Sequence, residues 1–471
     1  MIAKPKGCHD IYGIEAKKWQ FVSRLIDEVC ERYNYEFIRT PIFESSGLFH
    51  RGVGDTTDIV TKETYDFVDR GDRNMTLRPE GTAGVVRSYI ENKMYGEANQ
   101  PIKLYYNGTM YRYERPQSVR DRELTQFGME VLGSDDPSID AEVISMAVNI
   151  YKLVGLKQIK VNINSLGDKE SRDNYRKALV EYFTPHINEM CEDCKTRLDK
   201  NPLRMLDCKV DHELDVMKNA PKITDYLNDE SRKRFEAVQK YLGLLDIDYV
   251  VDPNVVRGLD YYDHTVFEIE AEVKDFGAQN VLGGGGRYNG LVKQLGGPDV
   301  PGIGFAMGFG RLMLAIEKEE IKLPIENRLD AFVMYVSDTE KDYATTLVQE
   351  LRMNGFKVDT EYTGRSLKSQ FKQADRLNSR FLIILNDEDL KNNLIQVKNN
   401  DTKEEAKIEL DYLMYYLDEQ MANFDDVDDC SCGCHKDNCN CCDDCDCGCQ
   451  DGEECTCDGN CCCHDEDDIE F

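Results

Sequence analysis

The feature that most constrains this chain of 471 residues is an abrupt change of composition near residue 420. Fourteen of its 19 cysteines lie between Cys430 and Cys463, and residues 421–471 contain 17 acidic residues but only one lysine. A segment with so few apolar side chains cannot bury a core, so we expect it to be disordered unless it binds a metal. The folded structure must therefore come from the first 420 residues, and we call residues 421–471 the acidic tail.

The net charge of the whole chain is −31, which alone argues against a nucleic-acid partner because phosphate binding requires Lys and Arg. The acidic tail supplies −16 and the first 420 residues carry −15, so local basic clusters are more informative than the total. The N-terminus lacks the apolar core of a signal peptide, and no apolar run approaches the roughly 18 residues of a membrane span. We therefore expect a cytoplasmic protein without a membrane partner, in a reducing compartment where thiols bind metals more often than they form disulfides.

Hydrophobic periodicity divides the first 420 residues into two regions. In the first region it predicts helices at 16–33 and 140–154, and extended chain or strands at 35–43, 103–113, 124–132 and 261–270. After Leu329, strands and helices alternate for about 90 residues, which predicts a small α/β domain with a mixed sheet. The predicted parts are a first domain at 1–324 with a helical insertion at about 168–240, a second domain at 328–418, and the acidic tail at 421–471.

Four segments suggest a site for a nucleotide and a small polar ligand. They are LRPEGTAGVVR at 77–87, MYRYE at 110–114 with the basic loop leading to QFGME at 126–130, VRGLDYYDHTVFE at 256–268 with GGGGRYNGL at 283–291, and GIGFAMGFGRLML at 302–314. An Arg-rich loop between two strands suits a triphosphate, because guanidinium groups pair with phosphate oxygens in a bidentate manner. Taken alone, the second segment also fits a solvated hairpin, and the last one fits a glycine-rich packing junction.

Together these segments resemble the class II aminoacyl-tRNA synthetases, and RGLDYY and GGRY narrow the resemblance to the histidyl-tRNA synthetase family. The resemblance covers about residues 4–417 and implies an α/β fold class, with an α+β catalytic core on an antiparallel sheet, a helical insertion and an α/β anticodon-binding domain. It implies ATP-dependent ligation of L-histidine to its tRNA through a histidyl-adenylate, with release of AMP and pyrophosphate and with Mg²⁺ bound to ATP. It also implies a homodimer, with an interface built by the segment around Pro41.

The resemblance assigns the handling of ATP to a small set of residues. Arg112 would hold the α-phosphate, Arg311 the outer phosphates, and Arg257 would lie between the substrate carboxylate and the α-phosphate. These three arginines are the expected catalytic residues. Glu114 and Arg120, in and beside the basic loop, would also bind the nucleotide.

The resemblance implies a histidine pocket as well. Its residues would be Glu80, Thr82 and Gln126 at the amino group, Glu130 and Tyr262 at the imidazole nitrogens, and Arg257, Tyr261 and Tyr288 around the substrate. The chain departs from the family pattern at three positions, one of which is Asn289, where the glycine-run signature of the family has an Asp. Leu124 stands where the family commonly has an aromatic residue that stacks on adenine, and Gly310 stands where a Glu commonly precedes the arginine of the last segment.

The second domain carries EYTGRSLKSQFKQADRLNSRFLIIL, which resembles the anticodon-binding domain of the same family. Arg365, Lys368, Lys372 and Arg376 fall at helical spacing and would face RNA phosphates. A solvated helix face gives the same pattern, so the two interpretations stay open. The implied RNA partner is a histidine tRNA.

Two groups of cysteines have metal-binding spacing. In the insertion, Cys191, Cys194, Cys208 and His212 have the order of a zinc knuckle, although cysteines scattered through a helical insertion are the alternative. In the acidic tail, Cys-x-Cys pairs place two thiols on one side of an extended chain, and their density favours Zn²⁺ or Cu(I). The predicted tail ligands are Cys430, Cys432, Cys434, Cys439, Cys441, Cys442, Cys445, Cys447 and Cys449. A disordered solubilising tail is the alternative.

Two other functions fit parts of the sequence. The regulatory subunit of ATP phosphoribosyltransferase resembles the same catalytic core and binds histidine as a signal, but it lacks the anticodon-binding domain and the catalytic arginines that this chain has. A metal-storage module carried by an enzyme body would account for the acidic tail. Removal of residues 421–471 distinguishes these possibilities, because we expect ligase activity to survive and metal binding to fall.

Overall fold

The computed structural model describes residues 2–53, 60, 62–114, 121–206, 208, 210–257, 259, 261–272 and 280–425. The chain divides into two compact units between Ile325 and Glu326. The predicted tail ligands, from Cys430 to Cys449, lie outside the described residues. Within the described part of the chain, no helix is long and apolar enough to cross a membrane.

The first unit contains both helices and strands. Its helices are α1 (Gly13–Arg32), α2 (Ser46–Val53), α3 (Thr82–Glu91), α4 (Pro137–Val154), α5 (Lys169–Phe183), α6 (Glu192–Lys200), α7 (Asp215–Lys218), α8 (Asp229–Leu244), α9 (Leu291–Gln294) and α10 (Phe309–Lys318). Its strands are β1 (Glu36–Phe37), β2 (Phe43–Ser45), β3 (Tyr65–Val68), β4 (Asn74–Leu77), β5 (Ile102–Tyr111), β6 (Glu123–Leu132), β7 (Ile159–Ser165), β8 (Val250–Val251), β9 (Asp263–Ala271), β10 (Val281–Arg287) and β11 (Gly302–Gly308). The predicted helices and the three longer predicted strands are confirmed, with shifts of a few residues at their ends.

Eight strands of the first unit form one sheet in the order β1-β5-β6-β11-β10-β9-β7-β8. Neighbouring strands are antiparallel except at the two edges, where β1 pairs with β5 and β8 pairs with β7 in parallel. This architecture confirms the predicted fold class. Glu130 of β6 lies opposite Gly304 of β11, which in turn lies opposite Gly286 of β10. The register therefore places an acidic side chain beside two residues that have no side chain to fill the adjacent space.

Helices α1 and α4 pack with the sheet in one apolar core. Val22 and Ile26 of α1 are fully buried, because apolar residues three and four positions apart share one helix face. Helix α4 begins where the side chain of Asp136 accepts the backbone N–H of Ser138 at 2.8 Å. It ends at Gly155, whose φ of +103° is a left-handed conformation that favours glycine. These two helices pack on one face of the sheet and shield it from solvent.

The insertion between β7 and β9 contains α5, α6, α7 and α8. Helices α5 and α6 share a separate apolar cluster that includes Tyr175, Leu179 and Cys194. Helix α8 instead buries Phe235 and Val238 in the main core of the unit. The insertion is thus a small core of its own that is attached to the sheet through α8.

The second unit contains a five-stranded mixed sheet. Its strands are β12 (Ala331–Met334), β13 (Val358–Thr360), β14 (Phe381–Ile384), β15 (Leu394–Asn399) and β16 (Glu405–Glu409), and its helices are α11 (Asp338–Met353), α12 (Leu367–Arg376), α13 (Asp387–Lys391) and α14 (Leu413–Asp425). In the order β13-β12-β14-β15-β16, β12 is parallel to both neighbours and β15 is antiparallel to both. The predicted mixed α/β sheet is confirmed. Strand β16 was not predicted, because it is an edge strand with charged, exposed residues at alternate positions.

Candidate active site

A cleft of about 1050 Å³ lies against β6, β10 and β11 in the first unit. Its volume is at the upper end of the range of roughly 300–1,000 Å³ that is typical of small-molecule sites. Eleven of the twelve residues predicted to bind ATP or histidine line it, namely Glu80, Thr82, Arg112, Glu114, Gln126, Glu130, Arg257, Tyr261, Tyr262, Tyr288 and Arg311. The twelfth, Arg120, lies outside the described residues. The four segments singled out in the sequence therefore contribute to one cavity.

A buried network of carboxylates and hydroxyls forms one part of the cleft. The Oγ1 of Thr82 donates to Oε1 of Glu130 at 2.6 Å, and the hydroxyl of Tyr288 donates to Oε2 of the same carboxylate. The carboxylate of Glu80 accepts the backbone N–H groups of Thr82 at 2.7 Å and Ala83 at 2.9 Å. These N–H groups open α3, where an anion is favoured by the free donors and the helix dipole. Both carboxylates are therefore fixed in place before a substrate binds.

The two buried carboxyl groups have raised pKa values. Burial raises the pKa of Glu130 to about 8, even though the hydrogen bonds from Thr82 and Tyr288 act in the opposite direction. Burial also raises the pKa of Glu80, and the backbone N–H groups that it accepts partly offset this effect. A ligand that brings N–H donors or positive charge to this part of the cleft would favour the ionised form of Glu130. Perturbed acids in a cleft are a frequent mark of a functional site.

Glycines in β11 create the space that these side chains occupy. A Cβ added to Gly304 would lie 1.9 Å from Oε2 of Glu130, and one added to Gly302 would lie 2.3 Å from the ring of Tyr288. Both contacts are far shorter than real Cβ atoms tolerate. These glycines have ordinary strand conformations, so they are required for close approach and not for an unusual backbone.

Arg257 is held in a strained and partly unsatisfied position. Its φ of +61° is uncommon for a residue with a side chain, and such residues often occur at functional sites. Its Nη1 donates to Oε1 of Glu268 at 2.5 Å, whereas its buried Nε has no partner within the described structure. Burial opposes the charge of Arg257, but Glu268 and the neighbouring Tyr262 and Tyr261 together outweigh burial and raise the pKa of the guanidinium. A Cβ on Gly284 would lie 2.7 Å from Nη1, so this glycine is needed for the arginine to reach the cleft.

The other two arginines are anchored by backbone carbonyl groups. The Nε of Arg112, just beyond β5, donates to the oxygen of Pro79 at 2.8 Å. The Nη1 of Arg311, in the first turn of α10, donates to the oxygen of Val281 at 2.6 Å. Both guanidinium groups line the cleft, as does the carboxylate residue Glu114. Cations fixed in this way are suited to phosphate oxygens, because little reorganisation is needed when the charge arrives.

Two of the departures from the family pattern, Leu124 and Gly310, also lie in the cleft. Leu124, Met313 and Leu314 contribute apolar side chains to its lining, so a planar base would meet aliphatic groups there. Gly310 lines the cleft at a point where an added Cβ would meet nothing within 4 Å. The absence of the common Glu therefore leaves open space and does not distort the backbone around it.

Tyr106 was not among the predicted residues, although it lines the cleft. A Cβ on Gly81 or on Gly128 would lie 2.2 Å from atoms of the Tyr106 ring and hydroxyl, so both glycines are needed to accommodate it. Its buried hydroxyl and Oε1 of Gln126 have no hydrogen-bond partner among the described residues. Buried polar atoms without a partner are rare, and a bound ligand would explain them. The sequence feature that could have indicated Tyr106 is the pair Gly81 and Gly128, which lie in two different motifs.

The structure corrects the predicted zinc set of the insertion. Cys191, Cys194 and Cys208 come together, but their fourth neighbour is Asp211, and the ligand atoms of these four residues all lie within 4.8 Å of one another. The predicted fourth ligand, His212, is exposed, and its Nε2 lies 3.2 Å from a carboxylate oxygen of Glu213. Residues 210–213 form a turn, in which adjacent side chains point in different directions. The side chain of Asp211 therefore faces the cysteines and that of His212 does not.

A mainly antiparallel sheet with a cleft that holds three anchored arginines, followed by a separate mixed α/β unit, is the architecture of a class II aminoacyl-tRNA synthetase. The histidyl-tRNA synthetase family model matches residues 7–312, and the anticodon binding domain model matches residues 330–420. The histidine--tRNA ligase of Bacillus cytotoxicus is 54% identical over 417 residues, which are 88% of this chain and 99% of that protein. The chain belongs to the histidyl-tRNA synthetase family.

Solved structures agree with this assignment. The crystal structure of apo S. aureus histidyl-tRNA synthetase is 48% identical, has a TM-score of 0.77, and covers 88% of this chain and 100% of its own. A structure described as an ATP phosphoribosyltransferase regulatory subunit/histidyl-tRNA synthetase from Bacillus halodurans shares the fold at 21% identity, with a TM-score of 0.55 over 79% of this chain and 96% of its own. Both family models end by residue 420, so the acidic tail lies beyond the part of the chain that they match.

Proposed function

We propose that this chain attaches L-histidine to a histidine tRNA in two steps, through a histidyl-adenylate, with release first of pyrophosphate and then of AMP. The observation that carries the proposal is that eleven residues assigned to ATP and histidine line one cleft. Membership of the histidyl-tRNA synthetase family supports the ligation of histidine to tRNA. The geometry of the cleft supports the more detailed roles that follow.

Histidine recognition would rest on the buried polar network. Glu130 and Tyr262 would pair with the two imidazole nitrogens, and Glu80, Thr82 and Gln126 would bind the amino group. The network is buried, and its geometry is set by the glycines of β11. An amino acid without ring donors and acceptors would leave these groups unpaired. Sites of this kind can reject such analogues by on the order of 10⁴-fold, so no editing step is needed.

Activation would use the histidine carboxylate as the nucleophile, so no general base is required. The barrier comes from bringing two anions together and from the charge that develops at phosphorus. Arg257 would neutralise the carboxylate and the α-phosphate together, while Arg112 and Arg311 would align the phosphates for in-line attack. The anchoring of these guanidinium groups by Glu268 and by backbone carbonyls supports this division of roles.

Mg²⁺ fits the donor set of the cleft. It is a hard cation that takes oxygen ligands and usually binds through substrate phosphates and one or two carboxylates. Arg112 and Glu114 follow the end of β5, and Glu123 begins β6. All three line the cleft, so carboxylate groups lie near the expected phosphate site. When bound with ATP, the ion would reduce the negative charge of the phosphates.

The second unit would bind the tRNA. Four basic residues fall on the exposed side of α12 and the segment before it, namely Arg365, Lys368, Lys372 and Arg376. Gln370 and Ala374 are buried on the opposite side of the same helix. A one-sided basic surface supports contact with RNA phosphates, because such contacts depend on closely spaced cations.

A homodimer is supported by exposed apolar residues around the segment of Pro41. Phe37, Ile42 and Phe43 leave 56%, 41% and 53% of their surfaces exposed in the single chain. A patch of this kind is typical of an interaction surface. Sedimentation of the purified protein checks this directly, and a monomer at micromolar concentration would contradict it.

We also propose that the acidic tail binds Zn²⁺ or Cu(I) through its Cys-x-Cys pairs and that the protein acts in the cytoplasm. The support for both is the sequence alone: the tail combines thiol density with acidic residues, and thiols stay reduced and able to bind metal in a cytoplasmic compartment. The tail would be an appendage to the enzyme, because the two family models end by residue 420.

The test of the proposed function is the formation of histidyl-tRNA from the purified protein, ATP, histidine and a histidine tRNA transcript, with AMP measured in parallel. We expect one AMP for each histidyl-tRNA and no product with other amino acids. Histidine binding without charging would contradict the proposal and favour a regulatory histidine sensor. A chain that ends at residue 425, the last residue of α14, should charge tRNA equally well, and loss of activity on this truncation would show that the tail is not an appendage.

A further inference from the structure

The insertion contains a second polar centre that the proposed function does not use. Cys191 and Cys194 begin α6, and Cys208 and Asp211 lie in the segment that follows it. The three thiols and the carboxylate place one ligand atom each within 4.8 Å of the others. We propose that Cys191, Cys194, Cys208 and Asp211 bind one structural Zn²⁺.

The distances within the cluster suit a tetrahedral ion. Zinc binds thiolates at about 2.3 Å, which sets the distance between two sulfurs of a tetrahedron at about 3.8 Å. The Sγ atoms of Cys191 and Cys208 are 3.6 Å apart, and Sγ of Cys208 lies 3.7 Å from Oδ2 of Asp211. A disulfide would require about 2.05 Å between the sulfurs. Cys191 and Cys208 therefore lie at the spacing of ligands that share an ion, and the three cysteines are not bonded to each other.

Local structure explains why the cysteines converge. Cys191 is the N-cap of α6 and Cys194 is three residues further on, so both side chains lie at the same end of the helix. The positive end of the helix dipole favours thiolates at this position. The backbone N–H of Asp211 donates to Sγ of Cys208 at 3.5 Å, and that of Cys191 donates to Oδ2 of Asp211 at 3.0 Å. Such hydrogen bonds orient metal ligands and support their negative charge.

The burial of the carboxylate favours a cation at this point. Cys194, Cys208 and Asp211 are only 0%, 3% and 5% exposed. The cost of burying this carboxylate is partly offset by the N–H group of Cys191, and a cation shared with the three sulfurs would offset it further. Three protein sulfurs and one oxygen complete a four-coordinate shell, which leaves no position for a reacting water, so the site is structural.

Zinc at this point would stabilise a part of the insertion that contacts the backbone of a cleft residue. The cluster belongs to the separate apolar core that α5 shares with α6. On α5, Nη1 of Arg172 donates to the backbone oxygen of Tyr262, one of the residues of the histidine pocket, at 2.7 Å. The ion would therefore stabilise the core of α5 and α6, and with it the position of Arg172 against Tyr262.

The test is the zinc content and zinc affinity of the full-length protein and of a chain that ends at residue 425, the last residue of α14, which removes the tail thiols. The shorter chain spans both family-model matches, 7–312 and 330–420. We expect one zinc per shortened chain. Cys194→Ser and Asp211→Asn should weaken binding by at least about tenfold, since even second-shell changes cost this much. Full-length Cys194→Ser should hold one zinc fewer than its parent.

Two matched variants serve as controls. His212→Ala removes the neighbouring metal-binding side chain that faces away, and Cys8→Ser removes a cysteine outside the cluster, so neither should change the zinc content. Cobalt substitution gives a second readout, because a thiolate-to-cobalt band should weaken in Cys194→Ser and stay unchanged in His212→Ala.

Three results would overturn the proposal. They are a folded shortened chain without stoichiometric zinc, a Cys191–Cys208 disulfide in protein that was alkylated without reduction, and an equal loss of zinc in His212→Ala. If Cys194→Ser does not fold, Asp211→Asn keeps the shape of the side chain, and the zinc content of the parent still decides the question.

Discussion

The cleft and the cysteine cluster are both buried polar centres of the first unit, but they are built in opposite ways. In the cleft, the hydroxyl of Tyr106, Nε of Arg257 and Oε1 of Gln126 have no partner in the described part of the chain. In the cluster, the four ligand atoms lie within 4.8 Å of one another. The open centre is suited to a large ligand that must enter and leave, and the closed one to a single ion that stays.

The two centres also differ in how the sequence assembles them. The cleft collects residues from Glu80 to Arg311, which only the folded sheet brings together. The four residues of the cluster fall within a span of 21 consecutive residues, from Cys191 to Asp211. We therefore expect changes in the cleft to alter chemistry with little effect on folding, and changes in the cluster to alter the stability of the insertion with little effect on chemistry. Three changes in the cleft test this contrast, in order of decreasing effect.

The largest effect should follow from Arg257→Ala. Loss of one preorganised cation at a reacting anion typically costs on the order of 10²–10³ in rate, or about 3–4 kcal/mol. We expect this loss in kcat/KM for histidine-dependent ATP–pyrophosphate exchange, with an unchanged circular dichroism spectrum. Arg32→Ala, at an exposed arginine in the last turn of α1, is the matched control and should behave like the parent. A loss below tenfold would show that Arg257 does not touch the reacting groups.

A smaller effect should follow from Gly304→Ala. The new Cβ would lie 1.9 Å from Oε2 of Glu130, so the carboxylate must move away from Thr82 and Tyr288. Overpacking of this kind costs about 1–3 kcal/mol. We expect most of it as a higher KM for histidine with the KM for ATP nearly unchanged.

The control for this change is Gly243→Ala in α8, where an added Cβ would meet nothing within 4 Å. It should leave both Michaelis constants at their parental values. Equal increases in the two constants for Gly304→Ala would indicate a general distortion of the sheet. They would contradict the proposal that Gly304 of β11 is needed specifically for histidine recognition.

The smallest effect concerns the dependence of stability on pH. The pKa of Glu130 is raised to about 8, so the folded protein binds more protons than the unfolded chain between the ordinary pKa of Glu and pH 8. The contribution of Glu130 to the free energy of unfolding is therefore present in full below the ordinary pKa of Glu. It is lost as the pH rises from there through 8, by at most about 1.4 kcal/mol per pH unit. The melting temperature of the parent should thus fall relative to that of Glu130→Gln between pH 6 and 9. A constant difference would contradict the raised pKa.

Much of the cleft could be predicted from the sequence, because its chemistry resides in short segments with characteristic glycines and arginines. The position of Tyr106 could not, since the two glycines that accommodate it come from different strands and motifs. The pairing of Arg257 with Glu268 also depends on how β9 enters the sheet. Periodicity located the longer helices and strands but missed β3, β4 and β7 in the first unit. It also missed β16, whose charged residues hide the apolar alternation.

For the cysteine cluster, the sequence predicted three of the four proposed ligands but not the fourth. The cysteine spacing correctly predicted that Cys191, Cys194 and Cys208 would meet, because a helix start and a nearby loop leave few other arrangements. The choice between Asp211 and His212 depends on the direction of side chains in a turn, which spacing does not encode. Carboxylates are also so common on surfaces that Asp211 gave no signal of its own.

The central claim is that the open cleft activates histidine with ATP, and histidine-dependent ATP–pyrophosphate exchange on the purified full-length protein tests it most directly. With each amino acid tried in turn, we predict exchange with histidine alone, with no requirement for tRNA. Exchange that is absent although histidine binds, or that another amino acid supports equally well, would contradict the assignment of the cleft.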